Sequence, residues 1–224
     1  MKLISTTTSL AVFVIFLFTF LGCSHATFRI FEKPVVFDEV RKELSIRYLE
    51  ERYGIIQNFP SIDPRMIVIH WTAIPTLESS FNAMNPALLP GERTAISTAS
   101  DLNVAAHFLI DRDGVIFRQL PDTLFARHVI GLNHCAIGVE NIGGSEAPLT
   151  RAQLKANGDL VRYLVRKHPG IEYVIGHYQY REFEGHELWK EVDDNYRTGK
   201  SDPGEKFMSR LHRDLEGLGL KGHP

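Results

Sequence analysis

Apolar and polar positions along the chain alternate between two periods, and the switches between them outline the fold. From Phe37 to Tyr53, Val40, Leu44, Tyr48 and Leu49 recur at helical spacing behind Asp38, a residue suited to cap a helix N-terminus. Met66-Ile67-Val68-Ile69-His70 is a continuous apolar run of buried-strand type that ends on a histidine. A short helix is expected near Thr76–Met84, inside a long connection from Trp71 to Asn103. Ala105–Ile110 reads as a strand, and Asp113-Gly114 turns it back into Val115–Leu120. Ala136–Ile142 is a further strand. Thr150 caps a helix that runs through His168, with Leu154, Leu160, Val161, Leu164 and Val165 inward and Pro169-Gly170 as its stop. Ile171–Gly176 is the next strand and Glu205–Leu215 a closing helix. Strands interleaved with helices, one strand pair being a hairpin, predict an α/β domain: a mixed central β-sheet flanked by helices.

Composition supports one globular domain. The chain has 224 residues, 44% hydrophobic and 23% charged, with no repeat and no low-complexity tract. A formal net charge of −2 leaves no basic footprint for nucleic acid. The N-terminus is set apart. Residues 10–21 form an apolar stretch too short for a stable span, preceded by Lys2 and followed by small residues, which reads as an export signal over 1–26. Leu21-Gly22-Cys23 resembles a lipoprotein processing site that would place lipid on Cys23; cleavage after Ala26 and an uncleaved anchor are the competing outcomes. All three carry the domain across the membrane. With Cys23 lipidated the anchor is the only membrane contact expected, the absence of an aspartate after it favours an outer membrane, and Cys135 is left unpaired, buried and inert.

Two histidines at strand ends, His70 and His177, invite a metal reading, with Asp202 as a carboxylate fixed by Pro203-Gly204. Catalytic zinc commonly takes three protein ligands and keeps one position open. Each residue alone has an ordinary structural reading, and spacing does not choose between them. The string HELWK at His186 fails as a zinc helix because position 190 is lysine.

Four ordered blocks go further: MIVIHWTA, NVAAHFLIDRDGVIFRQLPD, HVIGLNHCAIGVENIGG, and VIGH followed later by GKSDPGEKF. Together they resemble the zinc-dependent N-acetylmuramoyl-L-alanine amidases, a superfamily that includes phage lysozyme-type amidases and peptidoglycan-recognition proteins. The resemblance covers roughly 63–215, leaving 27–62 as an N-terminal extension with a helix and 216–224 as a tail. It implies Zn²⁺ held by His70, His177 and Asp202, with Glu140 as general base and proton shuttle and Lys200 facing the oxyanion. Aspartate as third ligand, Glu140 present, and alanine at position 106 where the phage branch has tyrosine all match the branch that processes muropeptides. The implied reaction cleaves the amide between N-acetylmuramic acid and L-alanine, in peptidoglycan or its fragments, by a monomer. His128 and Asn133 fall where relatives contact substrate, and His107 reads as core or as support behind the ligands.

One departure stands out. Twenty-five residues separate His177 from Asp202, a longer gap than that branch keeps. The added stretch, Tyr180–Arg197, is either a flap covering apolar area or an aromatic lid over substrate, and it offers His186 as a rival ligand. The alternative functions are a non-catalytic peptidoglycan-binding module, which the full set of candidate residues argues against, and a zinc hydrolase acting elsewhere in the stem peptide.

Overall fold

A computed structural model describes residues 28–91 and 94–224. The export signal and the lipidation expected at Cys23 lie outside the described residues. In chain order the elements are β1 (Ile30–Glu32), α1 (Glu39–Tyr53), β2 (Met66–Trp71), α2 (Leu77–Met84), α3 (Thr94–Ser97), β3 (Phe108–Ile110), β4 (Ile116–Arg118), β5 (Ala136–Asn141), α4 (Arg151–Lys167), β6 (Tyr173–Gly176), a 3₁₀ segment His177–Phe183, and α5 (Glu205–Asp214). The strands form one mixed sheet in the order β1-β4-β3-β5-β2-β6. All pairs are parallel except the β3–β4 hairpin. Among the described residues no helix is long and apolar enough to cross a membrane.

Alternation along the central strands sends side chains to two different cores. Ile67, Ile69, Ile137, Val139 and Val174 face α4 and α5, packing on Leu160, Leu164, Met208 and Leu211. Met66, Val68, Ala136, Tyr173 and Ile175 face the other way, onto Tyr180, Phe183, Leu188 and Tyr196 of the long loop after β6. The same alternation assigns His70 and Glu140 to this second face. Beyond it α1 packs Leu44, Tyr48 and Leu49 against Leu102 and Phe125.

The helices start where their caps predict. Asp38 accepts from the Arg41 amide, Thr76 from Ser79, and Thr150 forms a reciprocal capping box with Gln153. The hairpin turns at Gly114, whose φ of +88° suits glycine, and a Cβ there would lie 2.9 Å from the Ala152 carbonyl oxygen.

Three expectations change. Val40 is 45% exposed, and the first turn of α1 buries Arg41 instead. Its guanidinium donates to the carbonyls of Met84, Asn85 and Pro86 at the C-terminal end of α2, where carbonyls lack helical partners. The hairpin strands are shorter than the apolar runs. Ala105 donates to Arg127 and His107 to Gly138, while Gln119 and Leu120 both donate to the His107 carbonyl, so regular pairing begins only at Phe108. Within the N-terminal extension, β1 adds an edge strand beside β4, which the sequence did not separate from its extended lead-in, and α1 supplies its own core cluster.

Candidate functional site

Ile69 and Gly176 are register partners on adjacent parallel strands, so the residues that follow them, His70 and His177, emerge side by side. Asp202 reaches the same point from the far end of the long loop, held there by a hydrogen bond from the Tyr178 amide to the Asp202 carbonyl. His70 Nδ1 lies 2.9 Å from His177 Nδ1 and 3.2 Å from Asp202 Oδ2, and His177 Nδ1 lies 3.1 Å from the same oxygen. All three residues are buried. Ligands at about 2.0–2.1 Å from a tetrahedral zinc stand about 3.3 Å apart, so this triangle fits such an ion closely.

Protonation agrees with that fit, since metal ligands must be neutral imidazole and ionised carboxylate. Burial first, then the neighbouring His70, push His177 down to about 4 against the opposing pull of Asp202. Burial alone would raise the Asp202 carboxyl, but the neighbouring imidazoles, His177 first and then His70, outweigh it and hold the group well below the usual carboxylate range. Among the described residues no other trio of histidine, cysteine or acidic side chains is arranged to hold a metal. His186 is not a rival: it packs edge-on against Tyr173 and Phe183, and its Nδ1 accepts from the Leu188 amide.

Glu140 is the register partner of His70 on β5, half-buried and on the same face. It and the exposed Lys200 line one groove with the triad, a cavity of about 470 Å³. The groove continues past Tyr48, Arg127 and Tyr196. His128 borders it but is only 9% exposed, with its ring wedged between His70 and the main chain of β5. Asn133 is fully buried. Its Oδ1 accepts from the amides of His128 and Val129 and its Nδ2 donates to the Tyr53 hydroxyl, so its amide shapes the turn that borders the groove. His107 is core: Nδ1 accepts from the Gly138 amide, Nε2 donates to the Leu124 carbonyl, and burial pushes its pKa down to about 4. Cys135 is a buried free thiol, and burial pushes it up to about 12, which leaves it unreactive.

The stretch 180–197 is a wall. Tyr180, Phe183, Leu188 and Tyr196 are buried in the second core, and Tyr180 is tied to the Thr198 main chain through its hydroxyl. The Glu191 carboxylate, fully buried, meets the Arg52 guanidinium at 2.7 Å, and Lys190 and Val192 donate to the carbonyls of Gly131 and Arg52. The sequence reading missed three contributors. Arg127, also buried, donates to the carbonyls of Ile96, Ser100 and Leu102 and to the Tyr196 hydroxyl, tying that wall to the loop before β3. Arg52 went unread because an arginine in an exposed-looking helical turn carries no mark of a distant carboxylate. Gly138 did carry a signal, a glycine inside an apolar strand, which marks a close approach.

Residues 60–205 match the protein family described as N-acetylmuramoyl-L-alanine amidase. Comparison with curated proteins gives no match. Among solved structures, bumblebee PGRP-SA is 20% identical with a TM-score of 0.51, covering 88% of this chain and 99% of its own. The N-acetylmuramoyl-L-alanine amidase LysC from Clostridium intestinale URNW is 20% identical with a TM-score of 0.48, covering 82% and 97%. The Ph2119 endolysin from Thermus scotoductus MAT2119 bacteriophage Ph2119 is 19% identical with a TM-score of 0.47, covering 86% and 100%. At such identities structural likeness speaks only to the fold, but the family match spans more than half of the sequence, and the chain belongs to the N-acetylmuramoyl-L-alanine amidase family.

Proposed function

We propose that this protein is a zinc hydrolase that cleaves the amide between the lactyl group of N-acetylmuramic acid and L-alanine, in peptidoglycan or in muropeptides. The observation that carries the proposal is the convergence of His70, His177 and Asp202 within about 3 Å of one another, with Glu140 in register beside them. His70 and His177 through Nδ1 and Asp202 through Oδ2 would hold the ion. Bound zinc supplies Lewis acidity toward the scissile carbonyl and toward water, whose pKa it lowers to about 7.

The remaining work falls to the protein's own groups. Glu140 takes a proton from the attacking water and returns it to the amine nitrogen as the C–N bond breaks, which frees the L-alanine amine and leaves the lactyl carboxylate. Lys200, on the rim, faces the charge that develops on the carbonyl oxygen. The packed wall from Tyr180 to Tyr196 limits solvent on one side of the groove. Substrate of this kind lies outside the cytoplasm, which agrees with an export signal and lipid on Cys23; a radiolabelled fatty acid should mark the wild type and not Cys23→Ala.

The decisive experiment is mass spectrometry of purified peptidoglycan treated with the protein, with and without a chelator. The expected products are peptides beginning at L-alanine, lost on chelation and restored by zinc. Binding without release would favour a recognition module, and cleavage within the stem would replace the amidase assignment with a peptidase.

A further inference from the structure

The triad uses one nitrogen of His70; the other nitrogen leads away from it. His70 Nε2 lies 3.1 Å from His128 Nδ1, and His128 Nε2 lies 3.1 Å from the carbonyl oxygen of Ala136. A backbone carbonyl can only accept, so in this contact His128 Nε2 carries the hydrogen. In the neutral ring its Nδ1 then offers only a lone pair and accepts from His70. That places hydrogen on His70 Nε2 and leaves a bare lone pair on His70 Nδ1, the atom that faces His177 and Asp202. One main-chain oxygen thus sets the tautomers of two imidazoles in series.

The surroundings are cut to hold this relay. A Cβ at position 138 would lie 2.7 Å from His128 Cγ, so β5 has a glycine where the ring must pass. The rings of His70 and His107 stand nearly perpendicular to that of His128, at 89° and 83°, enclosing it from two sides. Asn133 fixes the main chain by accepting from the His128 amide.

We propose that His128 is a positioning residue for the metal: it relays the Ala136 carbonyl to His70 and so presents His70 Nδ1 as a ready ligand. This rests on the metal reading of the triad. Groups that hold the far nitrogen of a metal-bound histidine typically contribute 10–100-fold in metal affinity.

The test uses the full chain and three variants, with zinc affinity measured by competition against a chromogenic chelator. Thermal unfolding of each metal-free protein serves as the control for folding. His128→Ala and His128→Phe should weaken zinc binding 10–100-fold. His128→Gln should recover most of the loss, because its amide can donate to Ala136 and accept from His70. In the metal-free wild type, nitrogen-15 NMR of labelled histidines should show hydrogen on Nε2 of both His70 and His128, a readout that needs neither metal nor a stable variant. Equal zinc affinity in wild type and His128→Ala, a glutamine variant as weak as alanine, or hydrogen on His128 Nδ1 would each overturn the relay. A wild type that binds no zinc would overturn the metal reading itself, and the relay with it.

Discussion

One buried ion pair helps hold the stretch between the two candidate ligands His177 and Asp202 as a wall, and breaking that pair measures its share. Arg52 of α1 meets Glu191 at 2.7 Å, and the Glu191 side chain has no solvent exposure. In Arg52→Ala the Glu191 carboxylate keeps one donor, the Asp193 amide at 3.0 Å. Breaking a buried pair from one side typically costs about 3–5 kcal/mol. Loss of Asp193 as a second partner for Arg52, at 3.4 Å, and of the guanidinium over the Tyr196 ring, at 4.8 Å, adds smaller amounts. The cost also depends on pH. Burial already raises the Glu191 pKa, and removing Arg52, which opposes that rise, raises it further. A carboxyl whose folded pKa exceeds its unfolded value destabilises the fold once pH rises above the unfolded value, through the folded one. The expected loss is therefore about 3 kcal/mol at pH 8, shrinking as pH falls toward about 4.5. Urea unfolding followed by circular dichroism gives the stability, and limited proteolysis under native conditions shows whether 184–199 opens. The double variant Arg52→Met/Glu191→Leu should recover most of the loss, giving a coupling of about 2 kcal/mol or more in a double-mutant cycle. If Arg52→Ala costs under about 1 kcal/mol and leaves proteolysis unchanged, the pair does not hold the wall. The buried aromatics and the main-chain bonds of the stretch would then carry the wall without it.

Three further outcomes follow from the same geometry. Glu140→Gln should lower kcat by about 10²-fold or more while zinc content stays at that of the wild type; unchanged turnover would remove the proposed proton transfer. Gly138→Ala forces a methyl group to within 2.7 Å of a ring held on both nitrogens, so it should cost about 1–3 kcal/mol in stability and weaken zinc binding together; a neutral result would show that the imidazole has room to move. His107 is neutral in the fold down to about 4, whereas the unfolded chain takes up a proton near 6.5, so stability should fall as pH drops through that window. The difference is worth about 3 kcal/mol at most, and His107→Gln should lessen the fall of the urea midpoint of the metal-free protein between pH 7 and 4.5, with His177 and other buried histidines carrying the rest.

What the sequence made legible is what depends on local pattern. Apolar runs located the central strands, caps at Asp38 and Thr150 located two helix starts, and histidines at two strand ends pointed to one edge of the sheet. What stayed hidden depends on partners far along the chain. Edge strand β1 is three residues without alternation, defined only by its pairing with β4. The aromatic stretch after β6 has the same composition whether it is a lid or a core, and only the burial of Tyr180, Phe183 and Tyr196 decides between them. Asn133 carried only what the resemblance implied, and its three internal hydrogen bonds, which use both ends of its amide beside the groove, were not legible in the sequence.

Strand polarity explains why the candidate groups meet at all. β2, β5 and β6 are mutually parallel neighbours, so their carboxyl ends lie together, and open α/β sheets bind ligands beyond that edge. His70, Glu140 and His177 reach that edge from three different strands without any loop having to bring them there. Alternation then assigns the face: Ile69 and Val139 turn to α4 and α5, so His70 and Glu140 turn to the side where the groove opens. A one-residue slip of β2 would exchange Ile69 for His70, burying the imidazole under the helices and leaving Asp202 without its partner. The long loop has a single remaining task, to return Asp202 to a fixed point, and its length is free to vary as long as the Tyr178 amide holds the Asp202 carbonyl. A shortened loop that keeps Tyr178, Lys200 and Asp202 should therefore retain zinc at reduced stability. Replacing Asp202 by alanine in the intact loop should lose zinc with the fold preserved. The reverse pattern, with the shortened loop metal-free and Asp202→Ala still loaded, would place the third ligand somewhere else.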